Sequence, residues 1–345
     1  MTTTTTTVTL EGAPRPVRDD VLQLMDDAIG RLGGELLHAM DPARIVGFED
    51  GGPAVWSVGL VEVAGDRPYT LLVTYGFSEI LSPESCRAGI THEYSLAVPA
   101  DSPLSPWADA LLRHLSRYAL TSGSMLHVGD VMPCYAPITC VPFQPEHHAY
   151  MPPTSLVGIL VTDDPVLPGI ATPHGTIQIR RMVGIDQRGL DRIQTWSTEG
   201  FLEELDALDP LLLTALERSS FMDVPAFATI VDMRARHEGS RCPAFVLEAR
   251  WDVTDTHLEI ELPGGREAAK LIAALHGRLP FGEPLTVISR VSPPITFLPG
   301  MAFDIQETER GLELTGSLDS GGLAKLVASI DPRQPGTTIQ IPFAS

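Results

Sequence analysis

At 345 residues the chain is longer than a single hydrophobic core usually supports, so two domains are expected. Its 43% hydrophobic content, with 30 Gly and 30 Pro, excludes a disordered or fibrous chain and points to a globular protein rich in turns and β structure. Lys and Arg number 24 against 44 Asp and Glu, and the net charge of −20 repels a phosphate backbone; nucleic acid is excluded as a general partner, while a basic protein would be steered toward the surface.

Residues 1–9 are a threonine run with no apolar stretch and no basic leader, and so read as neither signal peptide nor membrane span. A flexible tail over 1–16, a cytoplasmic protein and no membrane partner are expected. Only Lys270 and Lys325 are lysines among the cations, a bias that suggests GC-rich, bacterial coding. Val21, Leu22, Met25, Ile29 and Leu32 recur at helical spacing behind Asp19 and Asp20, which suit a helix start. Extended segments follow at 54–63 and 68–77. At 90–98, Ile90, His92, Tyr94, Leu96 and Val98 alternate with Thr91, Glu93, Ser95 and Ala97, the period of a strand.

The clearest helix runs over 105–120, with Ser105 as N-cap, Pro106 at the first helical position, and Trp107, Leu111, Leu112, Leu115 and Tyr118 on one face that must pack on a sheet. Strands at 156–162 and 176–185 and a helix at 199–208 come next. The run Arg234, Arg236, His237, Glu238, Gly239 and Ser240 reads as polar and irregular, and the domain boundary is placed there, giving domains at 17–235 and 236–345. The second domain holds strands at 245–253 and 257–262, a helix through Ala268, Leu271, Ile272 and Leu275 ending at Gly277 as a C-cap, and strands at 285–291, 295–298 and 312–318. A helix capped by Asp319 and a last strand carrying Ile339, Ile341 and Phe343 close it. The fold class is α/β (α+β), two domains, each a mixed β-sheet packed with helices.

Chemistry-bearing motifs are absent: there is no phosphate loop, Gly-x-Gly-x-x-Gly turn, Gly-x-Ser-x-Gly elbow or His-Glu-x-x-His helix. Cys86, Cys134, Cys140 and Cys242 are too few and too uneven for a disulfide framework, and Cys134 and Cys140 followed by His147 and His148 match no common zinc spacing, so no metal or other cofactor is expected. The carboxylate pairs Asp19-Asp20, Asp163-Asp164 and Glu203-Glu204 are adjacent, so their side chains diverge; solvated surface is their default reading.

A succession of blocks resembles the suppressor of fused family. Trp107 to Tyr118 with Ala119-Leu120-Thr121-Ser122 and Val128-Gly129-Asp130 is similar to part of the family's N-terminal domain. So are Thr70 to Glu79, Leu160 to Pro165, Thr172-Pro173-His174-Gly175, Met182-Val183-Gly184-Ile185, Trp196 with the helix after it, and Ile230 to Arg234. Leu275 to Leu279 with Phe281-Gly282, then Ile295-Thr296-Phe297, resemble its C-terminal domain, so the likeness covers about 17–343; the long insert of the animal proteins is missing.

The resemblance implies a non-enzymatic scaffold that takes a partner peptide as an added β-strand in a cleft between the domains, burying a peptide histidine among polar groups. For bacterial relatives it implies an immunity protein that binds a cognate toxin. Carried over by position, the peptide-site tyrosine falls on Tyr118, its aspartate on Asp130 and a third acidic position on Asp163, where the family has Glu; Leu126 stands where the family has an aromatic. From the residues alone, Asp130 behind Gly129 suits either a ligand acceptor or an Asx turn. Tyr118 suits a partner contact or a core ring with its hydroxyl at the rim, and Asp163 is otherwise a turn residue. The rival classes are a hydrolase using His127 or His174 with Asp130, and a sheet-edge scaffold for the chain's own oligomer.

Overall fold

A computed structural model of the chain describes residues 20–40, 55–78, 92–104, 106–173, 175–263, 265–319, 321–331 and 336–342. The chain separates into two compact units, Met1–Leu190 with Leu205–Ser220, and Asp191–Glu204 with Phe221–Ser345.

The first unit contains α1 (Asp20–Gly30), β1 (Leu37–Met40), β2 (Ser57–Val63), β3 (Tyr69–Tyr75), β4 (His92–Pro99), α2 (Trp107–Ser122), β5 (Val131–Pro133), β6 (Leu156–Asp163), β7 (Gly169–Thr172) and β8 (Gly175–Asp186). The strands make one sheet in the order β1-β2-β3-β4-β8-β6-β5, with β7 hairpinned onto β8. Its pairings are antiparallel apart from β4 with β8. The apolar stripe of α2 covers one face, where Trp107, Leu111, Leu112 and Leu115 pack on Tyr94, Leu96, Val98, Ile159, Val161 and Met182. Val21, Met25 and Ile29 of α1 cover the other face over Leu71, Val73, Ile177 and Ile179. β4 is therefore buried on both sides, and the alternation read in its sequence separates two buried layers instead of core from solvent.

α3 (Gln187–Thr195) and α4 (Thr198–Leu208) follow, and the division between the units falls within them. Residues 205–220 then return to the first sheet: Leu213 and Leu216 enter its two cores, and Thr214 N–H donates to the Ala97 carbonyl at 2.8 Å.

The second unit continues with α5 (Pro225–Glu238), β9 (Ala244–Val246), β10 (Arg250–Val253), β11 (His257–Pro263), α6 (Arg266–Arg278), β12 (Leu285–Ile288), β13 (Ile295–Pro299), β14 (Asp304–Thr308), β15 (Gly311–Gly316), α7 (Gly321–Ser329) and β16 (Gly336–Pro342). Its sheets, β10-β11-β16 and β14-β15-β13-β12-β9, share a core with Leu271 and Leu275 of α6 and Leu323 and Leu326 of α7.

Several expectations change at this level. The polar run from Arg234 to Glu238 is helical, the end of α5, because Arg234 bonds Glu238 at 2.7 Å one turn on and also pairs with Glu203 and Glu204. Gly277 does not end α6. Its carbonyl accepts the Ser240 N–H at 2.6 Å, the helix runs on, and Gly282 at φ 79° closes the 3-10 turn that follows. The strand expected over 245–253 is two strands of different sheets, bent apart where Ala249 N–H donates to the Leu247 carbonyl at 2.9 Å, a three-residue turn. Residues 1–16, Ser105 and Phe343 lie outside the described residues.

Candidate binding site in the first unit

The local geometry is set by how α2 ends. Gly123 adopts a left-handed φ of 68°, which stops the helix and turns the chain back along the sheet. Leu126 then sinks into the α2 core at 6% exposure, and its N–H donates to the Tyr94 hydroxyl at 3.2 Å. His127 to Asp130 form a tight turn in which Asp130 N–H bonds the His127 carbonyl at 3.0 Å, and Gly129 supplies the φ of 91° that the turn requires. Gly129 N–H donates to the Val161 carbonyl at 2.9 Å while Val161 N–H donates to the Asp130 carbonyl at 3.0 Å, so two residues face one across a bulge that leads into β5. The Asp130 carboxylate locks this turn, its Oδ2 accepting the His127 N–H at 2.7 Å, yet the residue stays exposed. The turn read in the sequence at Asp130 is therefore formed, held by one carboxylate oxygen.

Among the described residues β5 is an edge strand paired only with β6, through Val131 with Leu160, Met132 with Ile159 and Pro133 with Gly158. Since the Asp130 carbonyl and the Cys134 N–H are bonded to β6, the alternation of an antiparallel ladder turns the N–H and C=O of Val131 outward. Pro133 offers a carbonyl alone. Exposed apolar side chains flank this edge in sequence: Tyr118 at 45%, Val128 at 44% and Tyr135 at 90%, the last at a left-handed φ of 56°. Tyr118 sits in the last turns of α2, where its carbonyl accepts from Ser122 at 2.7 Å; its ring belongs to neither core.

Asp163 ends β6 opposite Arg180 of β8 in the ladder, and the two side chains pair, Asp163 remaining 58% exposed. Arg180 also donates to Gln178. Across β4, Tyr94 stands opposite Arg180 and His92 opposite Gln178, so these side chains share the α2 face of the sheet. His92 is buried, and desolvation, with the charge of Arg180 and the nearby His127, pulls its pKa down to about 4, leaving it neutral. Its ring lies 5.8 Å from Tyr94 and 5.7 Å from His127.

The structure thus brings Leu126 and Asp130 together through Tyr94 and His127, and links Asp163 to the same row of the sheet through Arg180. Among the described residues no hydrogen bond joins the Tyr118 side chain to them. His92, Tyr94 and Arg180, which adjoin Leu126, His127 and Asp163, were not named among the candidate residues. The signal was present in Gln178-x-Arg180 and His92-x-Tyr94, each with the period of one strand face.

The adjacent carboxylates Asp163 and Asp164 do diverge, but Asp164 is not solvated surface. It lies on the opposite face at 0% exposure, bonded to Arg181 at 2.7 Å and to the Ser95 hydroxyl at 2.6 Å. Burial raises its pKa, and the Arg181 charge with these hydrogen bonds outweighs that and holds it below the usual carboxylate range.

For the hydrolase alternative, the ring of His127 makes no hydrogen bond to a carboxylate, Ser or Cys among the described residues; only its backbone meets Asp130. His174 lies outside the described residues. A Ser57, His38, Asp26 series does exist at β1 and β2, with His38 Nδ1 3.3 Å from the Ser57 hydroxyl and Nε2 3.3 Å from Asp26, but Ser57 is fully buried. No group of three or more His, Cys, Asp or Glu among the described residues is placed to hold a metal ion. No helix of the described residues is long and apolar enough to cross a membrane.

Residues 55–219 match the family model described as suppressor of fused protein (SUFU). The human and mouse suppressor of fused homologs are each 25% identical over 152 residues, which cover 42% of this chain and 29% of theirs, so the match spans under a third of the length of these curated relatives. The crystal structure of Drosophila Suppressor of Fused superposes with a TM-score of 0.62 at 16% identity, covering 93% of this chain and 92% of that one, and shows the same fold. A chain of the Sufu-Fu complex crystal structure is 19% identical, covering 63% of this chain and 97% of that one at a TM-score of 0.48.

Proposed function

From the match of residues 55–219 to the suppressor of fused family model, we propose that the chain is a non-enzymatic binding protein that captures an extended segment of a partner protein on the β5 edge. One observation carries this reading: β5 ends the sheet with the main chain of Val131 turned outward, beside exposed Asp130 and the exposed apolar side chains of Tyr118, Val128 and Tyr135. Ladder hydrogen bonds supply affinity in this mode, and flanking side chains supply the choice of partner. Leu126, seated in the core, sets the height of the turn. Asp130 stays exposed for the partner's donors, and Asp163, paired with Arg180, lies at the exposed end of β6. A net charge of −20 speeds encounter with a basic partner.

The partner class we favour is a cognate toxin, held stoichiometrically in the cytoplasm, with no cofactor and no nucleic acid involved. The test begins with the protein that co-purifies from the native cell, titrated by calorimetry against three forms of the chain. Val131→Pro removes the outward N–H, and Asp130→Asn keeps the acceptor for His127 while removing the charge. We expect equimolar binding by the natural chain, weakened at least about tenfold by Val131→Pro, the scale of losing a central contact, and less by Asp130→Asn. Unchanged affinity in a folded Val131→Pro chain would overturn the edge. Turnover of any kind that is lost with His127→Ala would favour the hydrolase.

A further inference from the structure

On the α2 face of the first sheet two buried polar atoms have no hydrogen-bond partner among the described residues. They are Nε2 of His92, a residue 5% exposed, and Nε of Arg180. They belong to neighbouring strands, on residues whose ladder positions are two apart on the same face, His92 opposite Gln178 and Tyr94 opposite Arg180. A native interior leaves few such atoms unsatisfied, and each asks for an explanation. The rest of the Arg180 guanidinium is engaged: one terminal nitrogen donates to Asp163 and the other to Gln178. Asp163 is the movable member of this group, since 58% of its side chain faces solvent at the end of β6.

We propose that Arg180 and His92 form the receptor for an acidic side chain of the bound partner, whose carboxylate displaces that of Asp163. This rests on the partner-binding reading above and names the chemistry of one partner residue. A guanidinium presents its nitrogens as a planar fork that fits a carboxylate. A carboxylate arriving from the partner takes Arg180 N–H donors that Asp163 gives up or leaves empty. Neutral His92, with its proton on Nε2, donates a further hydrogen bond to it. A cation at the same place would instead meet Arg180 and find Asp163 already paired. Asp163 is then not the recognition group that the family resemblance implies, but the resident occupant of a site whose charge preference is reversed.

The probe is sodium acetate, titrated against sodium chloride at constant ionic strength into the natural full-length chain, with the His92 and His127 ring resonances followed by NMR. Acetate should move the His92 signals saturably where chloride does not. Asp163→Asn, which removes the internal competitor, should tighten acetate about tenfold, and Arg180→Gln should abolish the shift. Arg180→Lys, which keeps the charge on β8 without the fork, should weaken it and guards against an unfolded Gln variant. An acetate shift equal in the natural chain and in both folded Arg180 variants, or no saturable shift in Asp163→Asn, overturns the proposal, the buried atoms then being served by water only. Neither result touches the β5 edge, which is tested by Val131→Pro and the co-purifying partner.

Discussion

Glu93 shows how far a single buried group departs from what its residue type suggests. It is fully buried on β4, facing the α1 layer, and accepts hydrogen bonds from the hydroxyls of Thr74 at 2.6 Å and Ser78 at 2.7 Å and from the N–H groups of Gly76 at 3.1 Å and Ser78 at 2.9 Å. Desolvation raises its pKa to about 7 against the opposition of those four donors. Because the folded pKa lies above the unfolded value of 4.5, the contribution to stability is complete below about pH 4.5 and is lost as pH rises through 7. The loss is of order 3 kcal/mol. Urea unfolding followed from pH 5 to pH 8 should show stability declining over this window, and Glu93→Gln should flatten the decline. An equal slope in both chains would place the titration elsewhere. Asp164 works in the opposite sense, its depressed pKa giving stability that disappears only as pH falls below the ordinary carboxylate range. The sequence did not distinguish these two carboxylates from exposed ones: each is one letter in an alternating strand or a turn, and its partners Thr74, Ser78, Ser95 and Arg181 are distant in the chain.

Elements with a strong apolar period were legible. α2, β6, β8, α6 and β11 stand where their spacing puts them, because each buries a continuous stripe or face. Three kinds of element were not. α5 is held by ion pairs that a hydrophobic pattern does not register, and β14 is mostly exposed along its length. The short β5 takes its position from the bulge at Gly129 and from pairing with β6, both non-local. The candidate site suffered likewise: Asp130 and Asp163 were visible as ordered blocks, whereas Arg180 and His92 gain meaning only from the register of β4 and β8. Gly277 gives a test at this scale. A Cβ there would stand 2.9 Å from the Ser240 Cβ. Gly277→Ala should therefore destabilise the protein by about 1–3 kcal/mol through overpacking, although alanine favours an isolated helix by about 1 kcal/mol. A rise in melting temperature would show that the helix can shift away from Ser240.

For the molecule as a whole, the division of the chain is not a single cut. The first unit needs residues 205–220: Arg181 donates to the Leu211 carbonyl at 2.9 Å, Gly184 N–H to the Thr214 hydroxyl at 3.0 Å, and Arg218 to the Gly184 carbonyl at 2.6 Å. A fragment ending at Leu190 should consequently lose cooperative unfolding, while one ending at Ser220 should keep it, as read by circular dichroism in urea. A cooperative transition in the shorter fragment would show that the returning segment is dispensable. Two domains were expected from length alone, but a chain that leaves one unit and comes back carries no mark in composition or periodicity.

Pro133 has a consequence for life in a crowded cell. A binding protein whose receptive edge accepted any strand would also accept its own copies, and each added copy would offer a fresh edge to the next. By withholding an N–H two residues after Val131, at the next outward-facing position of β5, the imino acid shortens the run of free N–H groups that a propagating ladder would need. Pro133→Val should lengthen that run, and light scattering during storage should then report more self-association than in the natural chain.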